Sequence, residues 1–178
     1  MQKKVQIISD GSLDLSQELT KEKDIEVVPF YVSFDSETYQ KEMVEVGVRE
    51  FYQEMVDHPT VFPKTSMPSV HDYYEVFEKH AKEKMPVICI CITKKFSGSL
   101  QSATTAKDMI LEEYPDAQIT VIDSTVNTVL QGLYVLEACR LRDMGLEYQQ
   151  IVDALLPIRE TGRIFFTIGS IDYLKHGG

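Results

Sequence analysis

The sequence is short of the residues that would commit it to several common chemistries. It has three cysteines. Cys89 and Cys91 lie two apart in an apolar run and so share one face of a strand, while Cys139 falls in a helical pattern; neither spacing suggests a metal site or a disulfide framework. A chain with so little cysteine and no pairing pattern is expected in the cytoplasm. Positive charge is scarce too: 18 Lys and Arg against 28 Asp and Glu give a net charge of −10, which sets nucleic acid and anionic membrane surfaces aside as partners. No apolar run approaches the ~20 residues of a membrane-spanning helix, and the run after Lys3 and Lys4 is too short for a signal-peptide core. Neither a transmembrane segment nor a secretion signal is therefore expected. Internal repeats and low-complexity segments are absent from the sequence.

What is present is ordinary for a globular protein, with 43% hydrophobic and 26% charged residues. A length of 178 residues holds one good core or two small ones. The organising stretch is Thr93-Lys94-Lys95-Phe96-Ser97-Gly98-Ser99-Leu100-Gln101-Ser102-Ala103. Before it, Pro86 to Ile92 has the continuous apolarity of a strand buried on both faces, as parallel sheets require. After it, Leu100, Ala103, Ala106 and Ile110 recur at helical spacing. The junction therefore gathers small hydroxyls and unpaired amides where a helix dipole is positive, the place for an anionic group. On the residues alone, Ser97 or Ser99 acting as a plain helix cap, with Gly98 permitting the turn, is the favoured reading, because capping Ser is routine. No Gly-Lys-Ser/Thr follows, so a P-loop is disfavoured.

Taken in order, Val5 to Ser9 reads as a strand whose carboxyl end carries Asp10, either a turn former or part of a site. Ile25 to Phe34 reads as a second strand, with Pro29 demoting it to an edge or bend. Residues 35–47 are polar and turn-like. Val48 to Val56 gives a short helix with Phe51, Tyr52, Met55 and Val56 on its apolar side. Pro63 to Ser69 is an extended approach leaving Thr65 and Ser66 in a loop, and Ser69 with Asp72 resembles a capping box ahead of a helix face of Val70, Tyr73, Tyr74 and Phe77. Gln118 to Ile122 is a strand ending in Asp123-Ser124-Thr125. Leu130 to Arg142, with Leu133, Leu136 and Ala138 apolar and Gly145 as a stop, and Tyr148 to Glu160 are helices. Ile164 to Ile168 begins a further strand. Alternating strands and helices imply right-handed crossovers and a mostly parallel sheet in a three-layer α/β domain, and the turns after Asp10, Ser97 and Asp123 then share one edge.

With these residues placed, the sequence resembles the bacterial DegV family over its whole length. The resemblance rests on Ile8 to Leu15, Val27-Val28-Pro29 with Phe51-Tyr52, Pro63 to Ser69, Lys95 to Ala103, Val121 to Ser124, and Asp172 to Gly178. It implies a two-domain protein that holds a long-chain fatty acid such as palmitate, needs no cofactor or metal, and in known cases presents the lipid carboxylate to a fatty acid kinase. Carried over by position, Thr65 and Ser97 would hydrogen-bond the carboxylate, with Ser66, Gly98, Asp10 and Ser124 behind them. Departures are Gly11 for a usual Ser, Met67 for a commoner Gln, and Ser99 for a commoner Thr.

On this reading residues 1–160 form the first α/β domain and residues 161–178 begin a second α/β domain that is truncated here. A chain that stopped at Gly178 would leave apolar surface uncovered, so a homo-oligomer, or a disordered tail after about residue 162 with weakened lipid binding, is expected. The competing reading is a Ser-dependent hydrolase or phosphotransferase with Ser97 as nucleophile. Against it, none of His58, His71, His80 and His176 lies near an expected strand end, and no Gly-x-Ser-x-Gly elbow occurs.

Overall fold

β-branched and apolar residues dominate the segments that become the central sheet. In the computed structural model, which describes residues 5–165, 167, 171 and 175, β1 (Gln6–Asp10) and β6 (Val87–Cys91) are buried at every position. They lie between the edge strands β2 (Ile25–Val28) and β7 (Ile119–Asp123), in the order β2-β1-β6-β7, all parallel. A parallel sheet needs cover on both faces, and the pleat supplies two apolar sets. Ile7, Ile25, Ile88, Ile90 and Ile122 pack on Tyr134, Val135 and Ala138 of α5 (Thr128–Asp143) and on Ile151 and Leu155 of α6 (Tyr148–Ile158). Ile8, Val28, Cys89 and Cys91 pack on Tyr73 and Phe77 of α3 (Val70–Lys82) and on Ala103, Ala106 and Ile110 of α4 (Ser99–Glu113). The result is the three-layer α/β arrangement read from the sequence. A short α1 (Gln17–Glu22), capped by Ser16 Oγ accepting from the Leu19 amide, precedes β2.

The chain divides into two compact units: Met1–Val28 with Pro68–Ile164, and Pro29–Met67 with Phe165–Gly178. Within the described residues of the second unit, β3 (Tyr31–Ser33) pairs antiparallel with β4 (Gln40–Lys41) and β5 (Lys64–Ser66), in the order β4-β3-β5. It also contains α2 (Val48–Asp57). The continuous strand expected over 25–34 is thus two strands in two sheets. Pro29 lacks an N–H for a ladder, and the Phe30 amide donates instead to Glu42 Oε1 at 3.1 Å. Thr65 and Ser66, expected in a loop, belong to β5, where Thr65 pairs with Val32 and Ser66 with Tyr31.

Two helix faces also differ from expectation. In α2, Phe51 and Met55 are half-buried, and Phe51 lies 5.1 Å from the Phe34 ring, but Tyr52 and Val56 are exposed. In α5, Leu133 is 55% exposed while Gln131, Gly132, Tyr134 and Val135 are buried. The buried stripe is turned because Gly132 lets the helix press on the chain at Leu13 and Leu15. The strand expected over Ile164 to Ile168 and the motif Asp172 to Gly178 fall largely outside the described residues.

Candidate functional site

The carboxyl ends of β1, β6 and β7 open on one edge, and the residues there are polar although deeply buried. Asp10, the last residue of β1, is fully buried. Its Oδ2 accepts from the Ile92 amide at 2.9 Å and from Ser99 Oγ at 2.7 Å, and its Oδ1 accepts from Gln131 Nε2 at 2.8 Å. Burial pushes the Asp10 carboxyl above the usual carboxylate range, opposed by the hydrogen bonds from Ser99, Gln131 and the Ile92 and Ser12 amides. Buried charge is tolerated only when so solvated. Tyr73 OH lies 2.6 Å from Ser99 Oγ. Because the Ser99 proton goes to Asp10, Tyr73 is the donor in that pair.

From this anchor the loop leads to the surface. The Thr93 amide donates to Val126 O, and the Phe96 and Ser97 amides donate to Thr93 O, so Thr93 to Ser97 is a closed turn. Gly98 is the exposed helix cap and α4 starts at Ser99. The Ser99 amide donates to Ser97 Oγ at 3.2 Å. That occupies a lone pair of the Ser97 hydroxyl and leaves its proton, which has no acceptor among the described residues, for another group. The amides of Leu100 and Gln101 are likewise without acceptors among the described residues, as the first turn of a helix requires. A half-buried hydroxyl donor beside free helix-start amides is an arrangement that receives an oxyanion without a lysine.

Of the residues singled out in the sequence, the structure brings Asp10 and the Ser97–Gly98 turn together through Ser99. Ser124 is on the same edge, its amide donating to Cys91 O, but its hydroxyl is committed to Val126 O at 2.9 Å. Thr65 and Ser66 are exposed on β5 of the second unit. Gln131 was not anticipated. The available signal was an amide residue at the head of the buried stripe Gln131, Val135, Ala138 of α5, a position where an apolar residue is usual. Also unforeseen is the turn after β7, where Thr125 at φ 63° and Thr128 at φ 50° are left-handed, unusual for β-branched residues. The Thr125 hydroxyl, donating to Arg159 O at 2.8 Å, helps hold that turn.

For nucleophilic chemistry Ser97 would need a base, and its oxygen faces an amide instead. The described histidines pair elsewhere: His58 with Glu54, His71 with Glu75, and buried His80 with Glu26. His176 lies outside the described residues. Among the described residues no group of three or more His, Cys, Asp or Glu is placed to hold a metal ion, and no helix is long and apolar enough to cross a membrane. A cavity of about 170 Å³ beside Ser124, lined by Leu130, Leu133, Tyr134 and Ile158, is below the usual size of a ligand pocket.

Fold and edge together define an α/β module with a donor-rich loop at the strand ends. The model of the family described as "Uncharacterised protein, DegV family" matches residues 4–178, and the chain belongs to the DegV family. A DegV domain-containing protein of Clostridium perfringens is 30% identical over 174 residues, covering 98% of this chain and 60% of the relative. One of Halalkalibacterium halodurans is 34% identical over 176 residues, again 98% of this chain and 60% of the relative. Among solved structures, a stearic acid-binding protein of Eubacterium ventriosum superimposes with a TM-score of 0.93 at 48% identity, over 98% of this chain and 59% of that one. A fatty acid-binding DegV family protein of Thermus thermophilus gives 0.73 at 29% identity, over 88% of this chain and 53% of that one. The chain thus spans about three-fifths of the length of the curated relatives that it matches. The first of these solved relatives binds stearic acid and the second binds fatty acid.

Proposed function

We propose that this chain binds a long-chain fatty acid, with palmitate as a representative, and holds its carboxylate at the Ser97 turn without catalysing a reaction. The observation that carries the reading is the Ser97 hydroxyl, which accepts from the Ser99 amide and keeps its own proton for a ligand at the start of α4. The 48% identity to a stearic acid-binding protein supports the same lipid class. Thr65, on β5, is a second proposed donor on the strength of its place in the Pro63 to Ser69 segment that resembles the family's. Burying the acyl chain supplies most of the affinity, at about 0.8 kcal/mol per CH2, while the hydroxyls select for an acid head group. Handing the carboxylate to a fatty acid kinase is the further role proposed for the bound lipid. Native mass spectrometry of the purified chain, followed by titration with palmitate, tests the reading: bound fatty acid is expected, and a chain that neither carries nor takes up lipid overturns it.

A further inference from the structure

One oxygen of one buried side chain grips both ends of the loop that carries Ser97. Asp10 Oδ2 accepts from the Ile92 amide, where the chain leaves β6, and from Ser99 Oγ, where α4 begins. The segment between, Thr93 to Gly98, contains the exposed Lys94, Lys95 and Phe96, so little packing holds it from outside. A loop so placed would sample many conformations unless its ends were fixed. Moreover, the Ser99 side chain is held twice, by Asp10 at 2.7 Å and by Tyr73 at 2.6 Å. The amide of that same residue sets the orientation of the Ser97 hydroxyl.

We propose that Asp10 is the positioning residue of the oxyanion site: acting through Ser99, it holds the Ser97 turn closed and orients the Ser97 hydroxyl as a donor toward the ligand carboxylate. The inference rests on the lipid reading above and adds to it the residue that makes the site selective for an acid. Hydrogen-bond polarity requires this direction. The acceptor-only carboxylate draws the Ser99 proton inward, Ser99 Oγ then accepts a hydrogen bond from the Tyr73 hydroxyl, and among the described residues only the Ser99 amide donates to Ser97 Oγ. Gln131 completes the anchor by donating to Oδ1, and its own Oε1 has no partner. Asparagine at position 10 keeps both loop bonds, because Oδ1 still serves Ile92 and Ser99, while a rotated Gln131 amide would present Oε1 to the new Nδ2 and give up its own 3.1 Å bond to Ser9 Oγ.

The test compares palmitate with hexadecanol, which has the same chain and no carboxylate, on the wild-type chain and on Asp10→Ala, Asp10→Asn and Ser99→Ala. The wild type is expected to prefer the acid. In Asp10→Ala and Ser99→Ala that preference should fall by about tenfold, the size of one lost hydrogen bond to a charged group, with hexadecanol binding unchanged, and Asp10→Asn should restore most of it. Ser99→Ala leaves the carboxylate with its other donors and carries the test if Asp10→Ala does not fold. Folded variants that keep the wild-type preference, or that lose acid and alcohol equally, overturn the positioning role. A wild-type chain that binds neither ligand overturns the lipid reading and the positioning role with it, a result recognisable without any variant.

Discussion

Asp10 and Asp35 illustrate how the same side chain is put to opposite use. Asp35 is exposed and collects the Thr38 and Glu37 amides, which hold its carboxyl down at about 2. Its stabilising contribution is present above the unfolded value of 3.8 and is lost as the pH falls through about 2. For Asp10 burial outweighs four donors and the folded value is raised above 3.8. Its contribution to stability is thus greatest below 3.8 and is lost as the pH rises through the folded value. Denaturant titrations of wild type and Asp10→Asn should show the wild type losing ground to the variant as the pH rises from 4 toward neutrality; parallel curves across that range would contradict a raised Asp10. At the residues proposed to hold the carboxylate, Ser97→Ala and Thr65→Ala are each expected to weaken fatty acid binding by about 1.5–3 kcal/mol with the fold unchanged. Isothermal titration with circular dichroism as control checks both, and unchanged affinity in the double variant would remove them from the site.

Among the elements, α3 and α5 depend on local chemistry that can be tested singly. The capping box at α3 was legible from Ser69 and Asp72. Ser69 Oγ accepts from the Asp72 amide at 3.1 Å and Asp72 Oδ2 accepts from the Ser69 amide at 2.8 Å. Ser69→Ala should cost about 1 kcal/mol, read as a lowered midpoint in urea. Gly132 was not legible as special. A Cβ there would sit 2.3 Å from the Leu13 carbonyl oxygen and 2.8 Å from Leu15 Cδ2, and backbone cannot yield as a flexible side-chain tip does. Gly132→Ala is expected to destabilise by about 1–3 kcal/mol despite its better helix propensity; a stabilised variant would show that α5 can shift away. Pro29 was legible as a break, because an absent N–H is a local fact, but the transfer of the following strand to another sheet was not.

For the whole molecule, the proposed lipid role predicts no turnover of ester, phosphate or ATP substrates by the purified chain. Measured hydrolysis that disappears in Ser97→Ala would reverse that conclusion. Periodicity and strand composition by themselves determined the α/β class, the parallel central sheet, the helices on its faces and the gathering of polar turns at one edge, because each is set by local pattern and by the handedness of crossovers. The motif order further pointed to the DegV family. Tertiary structure alone decided which polar residues of that edge belong together. Asp10, Ser99 and Gln131 are separated by up to 121 positions, and their pairing depends on how α4 and α5 pack on opposite faces of the sheet. Tertiary structure also turned Ser99 inward and left the Ser97 proton free, since a hydroxyl's direction follows from the acceptors folding brings to it, which no single segment contains.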